Sequence, residues 1–451
     1  MEVNSIKNVY FVGIGGIGMS SLARYFRSRG CFVSGYDRTS TVLTESLIGE
    51  GISIVFKDDI DTIPEVFRNR SDETLIIFTP AIPRDSLILN YFDSEGFDIK
   101  KRSQVLGMIS SGMFTVAVAG THGKTTTSTI IAHIFKHSAF DCSAFLGGIA
   151  TNYNTNFLIG KNNVMVVEAD EYDRSFLQLH PDIAVITSMD ADHLDIYGDH
   201  KKFEDSFQLF TSQLKPGGSL IYKNGLSLSG GTTYSAFGEA DIRAENIRVD
   251  GGNFYFDFVS TSIKIENILI GIPGHHNVEN AIAAIQVSLL VGIAPEKIKR
   301  ALAEFQGIKR RFEYIIKTEK QVFIDDYAHH PTELHACITA VRSLYPGRKL
   351  TTVFQPHLFS RTRDFAHDFS AVLSLTDELI LLDIYPAREL PIPGITSDML
   401  LENVTIERKI KCGKQEAVEF VRRHQPDLLL TVGAGDIDTL VQPFKNALSY
   451  A

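Results

Sequence analysis

At 451 residues the chain is too long for a single hydrophobic core, and at ~150 residues per domain about three are expected. Its formal net charge of −10 excludes the broad basic surface of a general nucleic-acid binder, although a local phosphate pocket needs only a few cations. The four cysteines, Cys31, Cys142, Cys337 and Cys412, form no C-x-x-C pair, which argues against a zinc ribbon or redox dithiol.

No basic segment followed by an apolar stretch opens the chain, and no uncharged apolar run of ~18 residues occurs. The expectation is therefore a cytoplasmic enzyme without membrane insertion, working as a monomer or homodimer. Along the first hundred residues, Val9–Val12 reads as a buried strand, Ile17–Arg29 as a helix and Cys31–Gly35 as a second strand. Leu75–Phe78 is a further strand, followed by the turn-rich Thr79–Pro83. Strands alternating with helices indicate βαβ units and a largely parallel sheet.

A second unit starts near Met108 with the strand Thr115–Ala119, a glycine-containing loop and a helix over Lys124–His137. Val164–Val167 and Ile183–Ile186 follow as strands, each leading into an acidic cluster. From Ser219 to Leu269, short alternating segments between glycine pairs predict an antiparallel appendage. A helix over Asn277–Leu290 comes next, then a hinge at Phe305–Arg311. Beyond it Val322–Ile324, Leu350–Phe354, Leu379–Leu382 and Leu428–Val432 are strands of a third α/β unit. The expected domains are thus 1–107, 108–311 and 312–451: a Rossmann-like domain, a central P-loop ATPase domain and a second Rossmann-like domain.

The strongest chemical signal is Gly120-Thr121-His122-Gly123-Lys124-Thr125-Thr126 between a strand and a helix. Glycines let a backbone approach phosphate closely, and amides at a helix N-terminus bind anions. Lys124 supplies a cation for the β- and γ-phosphates, and the Thr125 hydroxyl suits Mg²⁺. The strict Walker spacing fails, because the position five before Gly123 is Val118. Downstream, Glu168-Ala169-Asp170-Glu171 and Asp190-Ala191-Asp192-His193 sit at strand ends. Alone, each reads as a solvated loop; beyond the carboxyl ends of strands in a sheet carrying a P-loop, they converge on the ligand crevice. Glu168 is then the natural Mg²⁺ partner of Thr125, an all-oxygen pairing.

At the N-terminus, Gly13-x-Gly15-Gly16-x-Gly18 with Asp37 nineteen residues on satisfies a dinucleotide-binding fingerprint. That makes a nicotinamide oxidoreductase the rival reading, but such a cofactor leaves the P-loop without a task. Two phosphate compounds in two domains account for both loops. A third group comprises His275–Asn280, Arg310-Arg311-Phe312 and Asp325-Asp326-Tyr327-Ala328-His329-His330-Pro331, which reads equally as a helix cap with exposed histidines.

Together these motifs resemble the Mur ligases of bacterial cell-wall synthesis, over nearly the whole chain. Gly13–Ser20, the Gly120–Thr126 loop, Phe354–His357 with Ser360–Arg363, and Asp383–Glu389 carry the resemblance. It implies an ATP- and Mg²⁺-dependent ligase acting through an acyl phosphate, and the opening loop resembles most the branch that joins L-alanine to UDP-N-acetylmuramate. A branch attaching a recycled tripeptide to the same sugar nucleotide is the alternative, and a noncatalytic nucleotide switch a remoter one. Carried over by position, Lys124, Glu168, His193 and Arg311 form the catalytic set, with Thr125, Glu168 and His193 on metal. ATP falls to Gly120, Thr121, His122, Gly123, Lys124, Thr125, Thr126, Asn277, Asn280, Arg311 and Asp326. Gly15, Gly16, Gly18, Asp37 and Thr79 take the uridine diphosphate. His329, His330, His357, Arg361 and Arg363 are candidates for holding L-alanine or the acyl phosphate. Some relatives carry a carbamoylated lysine fifteen residues after the metal histidine; Gln208 stands there, so that modification is not expected.

Overall fold

The computed structural model describes residues 3–190, 200–250, 253–387 and 389–448. Alternating β-rich apolar runs and amphipathic segments build three sheets. The first uses β1 (Asn8–Val12), β2 (Phe32–Tyr36), β3 (Ser53–Val55), β4 (Thr74–Phe78) and β5 (Asp98–Lys101), in the order β3-β2-β1-β4-β5. All of its pairings are parallel. Helices α1 (Ile17–Ser28), α2 (Val42–Gly49), α3 (Leu87–Ser94) and α4 (Arg102–Ser111) supply its crossovers and flanks. Every residue of β1 after Asn8 is buried, as expected of a central strand covered on both faces.

The second sheet has ten strands: β6 (Phe114–Ala119), β7 (Ser143–Ala150), β8 (Thr155–Leu158), β9 (Val164–Glu168), β10 (Ile183–Ile186), β11 (Ser219–Lys223), β12 (Thr232–Ser235), β13 (Ile242–Asp250), β14 (Asn253–Ser260) and β15 (Lys264–Ile270). Their order is β15-β14-β13-β12-β11-β10-β6-β9-β7-β8. Helix α5 (Lys124–His137) follows β6; α6 (His200–Ser212), α7 (His275–Leu290) and α8 (Pro295–Glu304) complete the set. The expected antiparallel appendage is shorter than the glycine pairs suggested. β11 and β12 pair parallel with their neighbours, extending the parallel sheet. Only β13–β15 are forced antiparallel, since two- or three-residue connections cannot cross over between parallel neighbours. A second antiparallel pair, β7 with β8, has no counterpart in the sequence reading.

The third sheet runs β16 (Glu313–Lys317), β17 (Val322–Asp326), β21 (Leu428–Val432), β18 (Leu350–Phe354), β19 (Glu378–Leu381), β20 (Arg408–Lys411). It is parallel except for the edge strand β16. Its helices are α9 (Pro331–Leu344), α10 (Phe359–Asp364), α11 (Ala366–Leu373), α12 (Ser397–Asn403), α13 (Lys414–His424) and α14 (Val441–Leu448).

The chain packs as two compact units, one running through Asn246 with Phe256–Ile268 and Val278–Phe305, the other holding Ile247–Tyr255, Leu269–Asn277 and everything from Gln306 on. Within the first, the glycine-loop sheet and the P-loop sheet share one core: Ile14, Met19, Leu22 and Tyr25 pack with Phe145, Phe157, Met165 and Val167. Tyr25 meets Phe145 and Phe157 at centroid distances of 5.5 and 6.1 Å, pairs of the kind that add ~1 kcal/mol beyond area burial. Asn156, fully buried on β8, donates to the Ile17 carbonyl and Ser20 hydroxyl of α1 and accepts from Arg24. A buried amide satisfied this way fixes orientation more sharply than apolar packing does. No described helix is long and apolar enough to cross a membrane.

Candidate active site

The loop from β6 to α5 turns on two glycines in the left-handed region, Gly120 (φ +134°) and Gly123 (φ +82°), the latter the N-cap of α5. A Cβ at Gly120 would stand 2.2 Å from Thr187 Oγ1 and 2.7 Å from the Ser188 amide. Thr187 and Ser188, just past β10, brace the loop. The Ser188 hydroxyl accepts from the His122 amide at 2.7 Å and contacts Thr121 Oγ1 at 2.8 Å. Asn280 joins this loop, its Oδ1 accepting from Thr127 at 3.1 Å. Asn277, one turn earlier, instead donates to the Pro273 carbonyl at 2.6 Å.

Lys124, at the first position of α5, points back into this loop. Its Nζ donates to the Gly120 carbonyl at 2.5 Å and lies 2.9 and 2.7 Å from the two carboxylate oxygens of Glu171. Burial alone would favour neutral lysine, but the carboxylates of Glu171, Glu168 and Asp170 hold its pKa above the usual lysine value. The cation is thus held within the loop at the start of α5, the helix end that favours anions. Sequence reasoning quoted Glu171 within an acidic run and gave it no role; only its burial and its distance to Lys124 set it apart.

The acidic end of β9 borders a cleft of about 290 Å³ lined by Gly16, Gly18, Thr79, Arg102, Glu168 and Asp170 among others. Glu168 presents its carboxylate here, with Oε2 accepting from the Gly147 amide at 3.0 Å. Among the described residues no three His, Cys, Asp or Glu side chains converge as a closed metal cage. The donors offered by Glu168 and the Thr125 hydroxyl are oxygens, which fits Mg²⁺, an ion held by one or two carboxylates together with substrate phosphates. His193, expected on metal, lies outside the described residues, as does Arg388 of the Asp383–Glu389 motif.

At the other side of the cleft, the glycine loop ends in Gly16, the N-cap of α1, which has no side-chain cap and no acidic residue in its first turn. Asp37, expected to meet the uridine compound, is tied to the loop itself: Oδ2 accepts from the Gly15 amide at 2.7 Å. Thr79 lines the cleft and packs against Gly13, where a Cβ would lie 2.7 Å from Thr79 Cγ2.

In the second unit, Arg310 and Phe312 adopt left-handed backbone (φ +60° and +50°), costly for such residues and held by their surroundings. Asp326 accepts from the Phe312 amide at 2.6 Å and the Ala328 amide at 2.7 Å, while burial raises its carboxyl to about 6. Arg310 and Arg311 both stack over Tyr327, at 5.2 and 5.3 Å. Arg310 also pairs with Asp325, a fully buried carboxylate that sequence reasoning left without a role. His329 and His357 meet edge to face at 5.8 Å, and His357 stacks on Tyr385 at 5.8 Å. Burial and the Arg361 guanidinium hold His329 below its usual pKa against the pull of Glu333.

Two of the five third-domain candidates also make bonds to near neighbours in sequence. His330 is the N-cap of α9, accepting from the Thr332 amide at 3.3 Å, and Arg363 pairs with its neighbour Asp364 at 2.7 Å. Glu389, quoted in the sequence only as the end of a motif, joins the region: it accepts from the Ser360 amide at 3.0 Å and from its hydroxyl, bonds that hold its carboxyl below the usual range despite partial burial.

Three family models match consecutive stretches of the chain: the Mur ligase family catalytic domain over residues 8–113, the Mur ligase middle domain over 118–288 and the Mur ligase glutamate ligase domain over 310–435. The chain is 50% identical to the UDP-N-acetylmuramate–L-alanine ligase of Cytophaga hutchinsonii, covering 99% of this chain and 97% of that one. It is equally 50% identical to the enzyme of that name from Flavobacterium psychrophilum, over 99% of each chain. Among solved structures, the UDP-N-acetylmuramate-alanine ligase of Thermotoga maritima superposes with a TM-score of 0.83 at 26% identity, covering 98% of this chain and 99% of that one. A murein peptide ligase from Psychrobacter arcticus shares the fold at a TM-score of 0.71 and 23% identity, over 99% of each chain. With three consecutive family domains and relatives half identical end to end, this chain belongs to the Mur ligase family.

Proposed function

We propose that this protein joins L-alanine to the lactyl carboxylate of UDP-N-acetylmuramate at the expense of ATP, as a cytoplasmic step of peptidoglycan precursor synthesis. One observation carries the reading: a single cleft is lined on one side by Gly16, Gly18 and Thr79 and on the other by Glu168 and Asp170. A sugar nucleotide seated on the glycine loop would thereby reach the acidic end of the P-loop sheet. A nicotinamide dehydrogenase has no use for that second wall. The names of relatives half identical over their full length support the amino acid and the sugar nucleotide. In this reading residues 1–107 bind the uridine compound, 108–311 bind ATP, and 312–451 contribute the amino-acid site and close over ATP.

A carboxylate is a poor electrophile, because resonance and charge repel an approaching amine. Phosphoryl transfer from ATP converts it to an acyl phosphate, in which the oxygen lost on amide formation leaves as phosphate. The neutral amine of L-alanine then attacks the carbonyl carbon, and the tetrahedral oxyanion collapses to the amide. Lys124, held charged in its loop, sits where negative charge builds on the transferred phosphoryl group. Thr125 and Glu168 would hold Mg²⁺, with His193 at a second ion, and the metal would neutralise phosphate charge. Asn280 and the Gly120–Thr126 loop bind the nucleotide in this scheme, and Asn277, Arg311 and Asp326 are assigned to ATP by the resemblance to the family. His329, His330, His357, Arg361 and Arg363 are the candidates for receiving L-alanine or the acyl phosphate. Most of the rate enhancement is then positioning and electrostatics.

Phosphate release from ATP and Mg²⁺ with UDP-N-acetylmuramate, measured with and without L-alanine, tests this. Release that needs both substrates is expected. Silence with L-alanine but release with the murein tripeptide would move the assignment to the recycling branch; silence with both would sink the ligase reading.

A further inference from the structure

We propose that Arg102 binds the diphosphate oxygens of the sugar nucleotide, and that Asp170 holds its guanidinium in position until the substrate arrives. This rests on the proposed sugar-nucleotide reading of the cleft and adds to it a residue that no sequence motif marks. Arg102 is the first residue of α4, directly after the edge strand β5. Its side chain is 21% exposed and runs against the first turn of α1. A Cβ on Gly18 would lie 2.5 Å from Arg102 Nη1 and 3.1 Å from its Cδ. Gly18 is therefore small not only to let backbone approach a ligand, but to let this guanidinium lie on the helix start.

The charge balance of the cleft gives the cation its task. Among the described residues lining it, Arg102 is the only cation, facing the carboxylates of Glu168 and Asp170. A diphosphate arriving at the N-terminus of α1 would meet amide donors there, but also two negative side chains. Without a cation between them, like-charge repulsion would oppose binding. Arg102 stands in that place, with Nη2 3.1 Å from Asp170 Oδ2. This is one hydrogen bond to a carboxylate that is itself 40% exposed, so the pair is weakened by solvent screening and exchanges readily. A diphosphate offers more anionic oxygens and a better match to the guanidinium fork than one carboxylate oxygen does. The substrate would displace Asp170 from Arg102 rather than bind beside an intact ion pair, and Asp170 acts as a positioning residue.

Calorimetric binding to the full-length protein separates the possibilities, using UDP, UDP-N-acetylmuramate and ATP as three probes. Arg102→Met is expected to weaken UDP and UDP-N-acetylmuramate by the same factor, about 10- to 100-fold for a lost charge-assisted hydrogen bond, with ATP binding unchanged. Arg102→Lys should recover part of the loss, since it keeps the charge without the fork. Asp170→Asn should weaken UDP, but by less than Arg102→Met does, because it loses the contact that positions the guanidinium while also removing a competitor. Tighter binding would show that Asp170 only competes and overturn its positioning role. Weakening confined to UDP-N-acetylmuramate would place Arg102 on the sugar's carboxylate and overturn the diphosphate assignment. Equal loss of all three ligands would show a structural role, and no loss at all would also overturn the proposal. Failure of the wild-type protein to bind UDP would instead count against the sugar-nucleotide reading itself.

Discussion

The Gly120–Thr126 loop and the ring cluster of the second unit differ in what their side chains present. Around Lys124 everything is braced by short-range bonds: two left-handed glycines, the Ser188 and Thr187 hydroxyls, and a carboxylate with both oxygens within 3 Å of the ammonium. The His329–His357–Tyr385 cluster joins three separate loops: backbone bonds from Tyr385 to Pro356 (2.8 Å) and from Leu358 to Tyr385 (3.0 Å) tie two of them, and ring contacts near 5.8 Å link the side chains. The first arrangement tolerates no added atom, as a phosphate cradle requires. In the proposed reading the ring faces receive the amino acid, where one methylene is worth only ~1–3 kcal/mol of discrimination.

Four measurements sharpen or break this contrast, in falling order of effect. Lys124→Ala should lower kcat at least about 1000-fold, since it removes the positioned charge on the transferred phosphoryl group. Residual turnover within tenfold of wild type would show that the braced loop is not the phosphate site. Gly120→Ala should cost about 100-fold in ATP affinity, because the methyl group would overlap Thr187 Oγ1 and φ +134° is unsuited to alanine. Unchanged ATP binding would mean that the loop has slack the contacts do not suggest.

A third measurement concerns the support beneath the loop. His133, buried on α5, contacts Tyr153 OH and the Ala301 carbonyl, both at 2.9 Å, and burial lowers its pKa to about 4. Because its folded value lies below the unfolded value near 6.5, the fold favours the neutral ring. That stability is present above pH ~6.5 and is lost as pH falls toward 4, by roughly 2–3 kcal/mol. Denaturant unfolding across that range should show the slope in wild type and a flatter one in His133→Gln; identical slopes would reject it. Last, His357→Ala should raise KM for L-alanine about tenfold with kcat changed less than threefold. A collapse of kcat instead would show that the ring cluster is as tightly coupled to the chemistry as the loop is.

The difference between the regions also explains what could be read beforehand. Lys124, Thr125 and the glycines of both loops lie within a few residues of a strand end and a helix start, and backbone geometry alone dictates what such a spacing does. The third-domain candidates fall in two stretches, His329-His330 and His357–Arg363, separated by a helix and a strand, so which of them meet follows from strand order. That His330 caps a helix and Arg363 pairs with its neighbour Asp364 are local arrangements that composition does not disclose. The run Ser219–Leu269 misled for a related reason: glycine turns mark where strands end, but not whether the next strand pairs parallel or antiparallel.

The amino-acid order thus determined the three α/β sheets, the two glycine loops and the family, because each depends on local periodicity and short spacing. Tertiary structure decided which charges meet. Glu171 reaches Lys124 across 47 residues, Arg102 reaches Asp170 across 68, and Asn156 reaches α1 across more than 130. Such pairs arise where parallel strands align their carboxyl ends, or where a helix packs across a sheet edge. That alignment is a property of the assembled sheets and cannot be found in any short window of the chain.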